Sequence, residues 1–247
     1  MHRPYIICHM ITSIDGKVTG TFLSSDTVAK AADHYFKIHR DFQADGFACG
    51  RITMEDSFTG GWYPDLSEFE GQKLEREDYI ADYNADFYAV AFDRHGSLGW
   101  KDSRIHDEDP GYDQAHIVEV LCEDVSDAYL AYLRSIGVSY LFAGKEEIDL
   151  SEALYKLWSR CGIRRLLLEG GSILNGAFQR ADLIDELSLV QVPVLGEKED
   201  KLLFDNNLKG EFQLIKAEVL ENGVWLRYHS NSYEAKPKLK LSLVQGS

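Results

Sequence analysis

At residues 166–178 the chain reads LLLEGGSILNGAF. A short apolar run ends in Glu169, Gly170, Gly171 and Ser172, and a helix-forming segment follows. Backbone N–H groups at a helix start lack intrahelical partners and, with the helix dipole, attract anions. Two glycines remove Cβ atoms from the approach, and the Ser172 hydroxyl adds a donor. The spacing is neither G-x-G-x-x-G nor Walker A, so the pattern is open between a phosphate cradle and a glycine turn that merely starts a helix. A second junction, Ala48 to Glu55, places Gly50, Arg51 and Thr53 where a strand gives way to a helix; Arg51 offers a fork for phosphate and Thr53 a hydroxyl. A third strand end carries Gly144. Together they suit a ligand with several phosphates or a long dinucleotide. Thr12 to Lys17 (TSIDGK) follows the first apolar run and sets the Asp15 carboxylate two residues from the Lys17 ammonium; alone it also reads as a polar turn.

These groups need elements to hold them. Tyr5–Ile11, Gly46–Cys49, Phe87–Phe92, Ala115–Leu121, Val138–Ala143 and Arg164–Leu168 are short apolar runs of strand length. Between them, Val28, Ala31, Ala32, Tyr35, Ile38 and Phe42 recur at helical spacing behind Asp26 as a cap, which puts Asp33 toward water. Thr53–Phe58 predicts a short helix, Ser126 caps a helix that stops before Gly137, and Leu150 to Cys161 forms an apolar stripe that includes Trp158 and ends at Gly162. Ser172–Arg180 predicts the helix above the cradle. The chain then changes character: Glu186–Leu195, Phe212–Leu220 and Val224–His229 read as strands, with Asn222-Gly223 as a hairpin signal. This order predicts an α/β fold, a mainly parallel central sheet flanked by helices with an antiparallel C-terminal hairpin. Loops after the parallel strands then share one rim, where ligands bind.

One domain, residues 1–230, accounts for this pattern. Within it, residues 60–86 form an acidic surface insertion, eight acidic residues against Lys73 and Arg76, with one exposed helix expected around Leu74 to Tyr83. It reads as a solvated excursion before a binding lid, although Trp62 and Tyr63 stand where they could roof a pocket. Residues 231–247 read as a tail or, through KLKLSLV, an added edge strand.

The 247 residues carry 26 basic and 41 acidic side chains, a formal charge of −15. That opposes a nucleic-acid surface. No run approaches a membrane span and no signal peptide is visible, so no membrane partner is expected. Cys8, Cys49, Cys122 and Cys161 are scattered in or beside apolar stretches and read as reduced core residues of a cytoplasmic protein. No His, Asp and Glu set suggests a metal; His34 and His39 lack metal-ligand spacing.

Three stretches, RPYIICHMITSIDGK, ADGFACGRITME and IRRLLLEGGSILNGAFQRADLIDELSLVQVPVLG, lie in order and span most of the chain. They resemble the reductase domain of bacterial riboflavin biosynthesis, the C-terminal half of a bifunctional deaminase-reductase, within the dihydrofolate-reductase-like superfamily. The resemblance implies that fold, NADPH as cofactor, a homodimer, and hydride transfer to a pyrimidine intermediate bearing a ribosyl chain. Carried over by motif, Gly50, Arg51, Thr53, Gly170, Gly171, Ser172 and Ile173 line the NADPH site. Arg94, after Asp93 at a strand end, meets the 2′-phosphate. Gly144 belongs to the same rim. Lys17 and Glu169 face the substrate, with Lys17 paired to Glu169 or Asp15 to orient the sugar.

The match departs from the family at two places. Members that reduce the phosphorylated intermediate carry H-x-L-R-A before the second strand; here Asp41 or Phe42 stands at the arginine, with Arg40 or His39 left to compensate. The D-D-P-x-L-x-x-R segment is replaced by Glu55 to Trp62, without arginine. No deaminase signature is present. The sequence therefore leaves two alternatives: a stand-alone reductase of another carbonyl or imine, or a nucleotide-binding protein without catalysis.

Overall fold

The computed structural model describes residues 2–205 and 210–231. Nine strands form one sheet: β1 (Tyr5–Thr12), β2 (Gly46–Gly50), β3 (Tyr88–Phe92), β4 (His116–Leu121), β5 (Ser139–Phe142), β6 (Arg165–Leu168), β7 (Glu186–Gln191), β8 (Phe212–Leu220) and β9 (Gly223–Ser230). Their order is β5-β4-β3-β2-β6-β1-β7-β9-β8. Every pair from β5 to β7 is parallel, and β9 joins β7 and β8 antiparallel. The helices are α1 (Asp26–Asp41), α2 (Arg51–Met54), α3 (Asp127–Ser135), α4 (Leu150–Arg160) and α5 (Ser172–Arg180). This is the expected mainly parallel sheet with its antiparallel C-terminal hairpin.

Strand alternation divides the interior into two cores. Ile7, Phe47, Cys49, Ala89 and Leu167 face α1 and α3; Ile6, Cys8, Ala48, Val90 and Leu166 face α4 and α5. Asp33 is exposed, as the α1 stripe requires. Ser25, one residue before Asp26, is the cap position of α1. The Ser126 hydroxyl accepts from the Tyr129 amide at the start of α3, and Gly137 follows its end in the left-handed region. The hairpin loop is Glu221-Asn222, with Gly223 already paired to Leu220, one residue earlier than the Asn-Gly signal predicts. Trp158 is only half-buried, its ring covered by His2 and Arg164.

The insertion differs from its sequence reading. No helix forms around Leu74 to Tyr83. Tyr79 instead exchanges two backbone hydrogen bonds with Tyr140 of β5, at 2.9 and 2.8 Å. Asp78 accepts from the Phe142 amide at 3.0 Å and from Lys156 at 3.1 Å. An unpaired edge of β5 offers stronger partners than water does, and it draws the segment into a strap rather than a solvated helix. Tyr63 stacks on Tyr129 and donates to the Gly96 carbonyl at 2.9 Å, so it braces the turn after β3. The suggested edge strand KLKLSLV lies outside the described residues.

Candidate active site

Because β6 lies between β2 and β1, the two glycine junctions become neighbours at the carboxyl rim of the sheet. The Glu169 amide donates to the Ala48 carbonyl at 2.9 Å, and the Gly50 amide to the Gly170 carbonyl at 2.8 Å. Gly170 and Gly171 are joined by a cis peptide bond. A Cβ on Gly171 would stand 3.2 Å from Thr53 Oγ1, and one on Gly50 would stand 3.8 Å from the Gly171 nitrogen. The first ladder bond at the start of α5 runs from the Asn175 amide to the Gly171 carbonyl. The amides of Ser172, Ile173 and Leu174 precede it and remain available. The Ser172 hydroxyl is buried without a partner among the described residues. Ile173, next to it, is 69% exposed. Free amides, an orphan hydroxyl and a gap that one methyl would crowd thus meet at one junction, with donors that an anionic group could use. Arg51, in the same junction, is paired with Glu55.

Arg94 and Gly144 also come together. Arg94 Nη1 bonds Glu147 at 2.5 Å, while its Nε is buried and unpartnered among the described residues. Gly144 has φ +92°, and a Cβ there would lie 2.0 Å from the Glu147 carbonyl oxygen. The tight turn that presents Glu147 to Arg94 therefore requires glycine.

Asp15 and Lys17 flank the rim on the other side. Ser13 Oγ donates to Asp15 at 2.6 Å and the Gly196 amide donates to it at 3.0 Å. These two bonds, Ser13 first, hold the exposed carboxyl below its usual range. Lys17 Nζ donates to the carbonyls of Asp200 at 2.7 Å and Lys198 at 3.4 Å. Among the described residues it forms no ion pair with Asp15 or Glu169, contrary to the pairing expected from sequence. The loop that crosses from β7 toward α5 supplies the carbonyls, a long-range contact with no local sequence signal.

Glu169 turns inward. Its side chain is 3% exposed, and its oxygens meet His39 Nδ1 at 2.8 Å and the Tyr112 hydroxyl at 2.9 Å. Burial pushes its pKa up, but the His39 charge and bond outweigh burial and hold it below the usual value. Burial likewise pushes the His39 imidazole down while Glu169 raises it, and the net direction is up. Sequence reasoning missed both partners. His39 had a signal: it sits four residues after Tyr35, on the apolar stripe of α1, where a polar side chain needs a buried partner. Tyr112 sits in an irregular loop and had none. The compensating phosphate clamp suggested for Arg40 or His39 is also engaged elsewhere. His39 is buried with both nitrogens bonded, and Arg40 grips Asp109 at 2.6 and 2.8 Å.

No helix among the described residues is long and apolar enough to cross a membrane, and the four cysteines are free and buried.

The family model of the RibD C-terminal domain matches residues 4–226. A 2,5-diamino-6-ribosylamino-4(3H)-pyrimidinone 5′-phosphate reductase of Aquifex aeolicus is 33% identical over 66 residues, 27% of this chain and 29% of that protein. The protein of the same description from Kluyveromyces marxianus is 24% identical over 200 residues, 75% of this chain and 71% of its own. The solved structure of Acinetobacter baumannii RibD superposes with a TM-score of 0.63 at 20% identity, over 92% of this chain and 58% of that one. At that identity the likeness bears on the fold. The chain thus spans under two thirds of the Aquifex and Acinetobacter proteins' lengths.

Proposed function

Because the chain belongs to the RibD C-terminal domain family, we propose that it is an NADPH-dependent reductase of a ribosylaminopyrimidine intermediate of riboflavin biosynthesis. The observation that carries this reading is the double glycine junction with its unpartnered Ser172 hydroxyl. Gly50, Thr53, Gly170, Gly171, Ser172 and Ile173 would hold the dinucleotide's diphosphate region. Arg51 and Arg94 would leave Glu55 and Glu147 for a phosphate, and Gly144 sets the turn beside Arg94. A reduced nicotinamide held there would supply a hydride to C1′ of the ring-opened imine, and the imine nitrogen would take its proton from solvent water. Lys17 orients the sugar from the rim, Asp15 fixes the turn that carries Lys17, and Glu169 secures the cradle from beneath.

A second reading, reduction of an unphosphorylated relative of that substrate, is favoured by one observation: Arg40 is spent on Asp109 and neither expected arginine clamp exists. The test mixes purified protein with NADPH or NADH and with phosphorylated or dephosphorylated ribosylaminopyrimidine, and follows loss of reduced-nicotinamide absorbance. Substrate-dependent oxidation of NADPH is expected, with the rate falling at least about tenfold in Lys17→Ala and the preference for NADPH over NADH falling in Arg94→Ala. Dinucleotide binding without turnover of either substrate would leave a nucleotide-binding protein, and no binding would end the reading.

The reading includes a cytoplasmic location, supported by the four free cysteines, and a homodimer formed through the terminal hairpin. Leu214 and Val219 on β8 are 53% and 88% exposed at the sheet edge, apolar surface that a second copy would cover. Sedimentation should show a dimer that Leu214→Asp with Val219→Asp reduces to a monomer. A monomeric wild type at micromolar concentration would contradict this assembly.

A further inference from the structure

Both ring nitrogens of His39, in the last turn of α1, face oxygen atoms. Nδ1 lies 2.8 Å from Glu169 Oε1 and Nε2 lies 3.0 Å from the Gly111 carbonyl. A carbonyl only accepts, so Nε2 carries a proton. Nδ1 against a carboxylate needs a second one, unless Glu169 itself is the acid. Tyr112 donates to the other carboxylate oxygen at 2.9 Å. His9, on the same face of the sheet, has no carboxylate partner among the described residues. Its Nε2 faces the Tyr35 carbonyl at 3.1 Å, and its Nδ1 lies 3.0 Å from the Ser188 hydroxyl and 3.3 Å from the Ser188 carbonyl. That hydroxyl accepts from Trp225 Nε1 at 2.9 Å and has its own proton to give, which suits a neutral ring.

We propose that His39 and Tyr112 are positioning residues of the glycine cradle: they clamp both oxygens of Glu169, and the clamp closes when His39 holds two ring protons. The proposal deepens the reductase reading and rests on it for its functional consequence. Gly170 and Gly171 have no side chains to fix them, and glycine loses more freedom on ordering than any other residue. Their carbonyls accept from the Gly50 and Asn175 amides, and any further fixing must come from a neighbour. Glu169 is that neighbour: its backbone is tied to β2 through Ala48, and its carboxylate ties the junction to α1 through His39 and to the loop before β4 through Tyr112.

The titratable groups around the pair are His9 and Cys8 of β1, Cys49 of β2, Tyr35 and Arg40 of α1, and Asp109 and Tyr112 of the loop. Arg40 is neutralised by Asp109, and burial raises both thiols and both phenols, so these stay uncharged. The His39 value is raised in the folded protein, so its contribution is complete below the ordinary 6.5 and is lost as pH rises through the raised value. The Glu169 value is lowered, so its contribution is complete above the ordinary 4.5 and is lost as pH falls through the lowered value.

The deciding experiment is a heteronuclear NMR titration of the whole, ligand-free protein between about pH 5 and 9. His39 should carry protons on both nitrogens at neutral pH. The Gly170, Gly171 and Ser172 amide signals should shift with a midpoint above the ordinary imidazole value. In His39→Gln, which keeps a donor toward Glu169 without the charge, that midpoint should vanish. NADPH affinity should fall about tenfold across the transition in the wild type and less than about twofold in the variant. A neutral His39 beside a protonated Glu169 would overturn the proposal, as would a charged His39 whose titration leaves the glycine amides unmoved. If His39→Gln fails to fold, the wild-type titration decides alone. If the clamp titrates as expected but NADPH does not bind, the reductase reading fails and the clamp stands.

Discussion

Glu169→Ala is expected to lower the free energy of unfolding by about 3–5 kcal/mol, the scale set by breaking one side of a buried ion pair. Three costs combine. The His39 charge loses its counter-ion, the Tyr112 hydroxyl loses its acceptor, and a void opens where a buried side chain had been. His39 can shed its proton, so the cost should be larger at pH 5.5 than at pH 8, whereas simple loss of packing costs the same at both. The pH values here are about one unit either side of the ordinary imidazole range. Glu169→Gln should behave differently. Its amide group can donate to a neutral Nδ1 while its oxygen accepts from Tyr112, with Nε2 still donating to Gly111. A cost of about 1 kcal/mol and a flattened pH dependence are therefore expected for glutamine. Urea unfolding of the three proteins at both pH values measures this. An alanine variant less than about 1 kcal/mol below wild type would show that the carboxylate is not held as the geometry indicates.

That prediction concerns a residue whose position was legible in the sequence and whose partners were not. Glu169, Gly170 and Gly171 announce a strand ending and a helix beginning because their signals are local: an apolar run, absent Cβ atoms, a hydroxyl. The mainly parallel sheet was legible for a similar reason, since alternating strand and helix runs favour right-handed parallel crossovers; the order of its strands was not. What was lost is what depends on distant segments. Lys17 was expected to meet a carboxylate, and it meets two carbonyls about 180 residues away in sequence. The acidic segment 60–86 was expected to carry a helix, and the open edge of β5 captured Tyr79 instead. Asn222-Gly223 signalled a hairpin correctly, yet pairing with Leu220 of β8 drew Gly223 into the strand and moved the loop back by one residue. Charge explains part of this pattern. A salt bridge carried over by motif competes with every carbonyl in reach, and backbone acceptors outnumber carboxylates.

The cradle itself separates stability from binding, and Gly171→Val exploits that. Gly171 has φ −78° and ψ −173°, extended backbone that any residue adopts. The new side chain would start 3.2 Å from Thr53 Oγ1, a crowding that a small hydroxyl shift relieves. Unfolding should therefore change by no more than about 1 kcal/mol. Binding should change far more, because the side chain fills the approach to the free amides of Ser172 and Ile173 and covers the orphan Ser172 hydroxyl. A loss of about 100-fold in NADPH affinity, or about 2.8 kcal/mol, is expected by calorimetry. Gly170→Val should invert the pattern. Gly170 has φ +107°, where a side chain is strained by about 1–3 kcal/mol, and its Cβ would point at Met10, 3.4 Å away, into the α4 and α5 core. Equal losses of affinity and stability in both variants would mean that the paired glycines only start a helix, and the diphosphate would have to be sought elsewhere on the rim. A selective loss of affinity at Gly171 alone has no such structural explanation, since the fold does not need glycine there and only a ligand does.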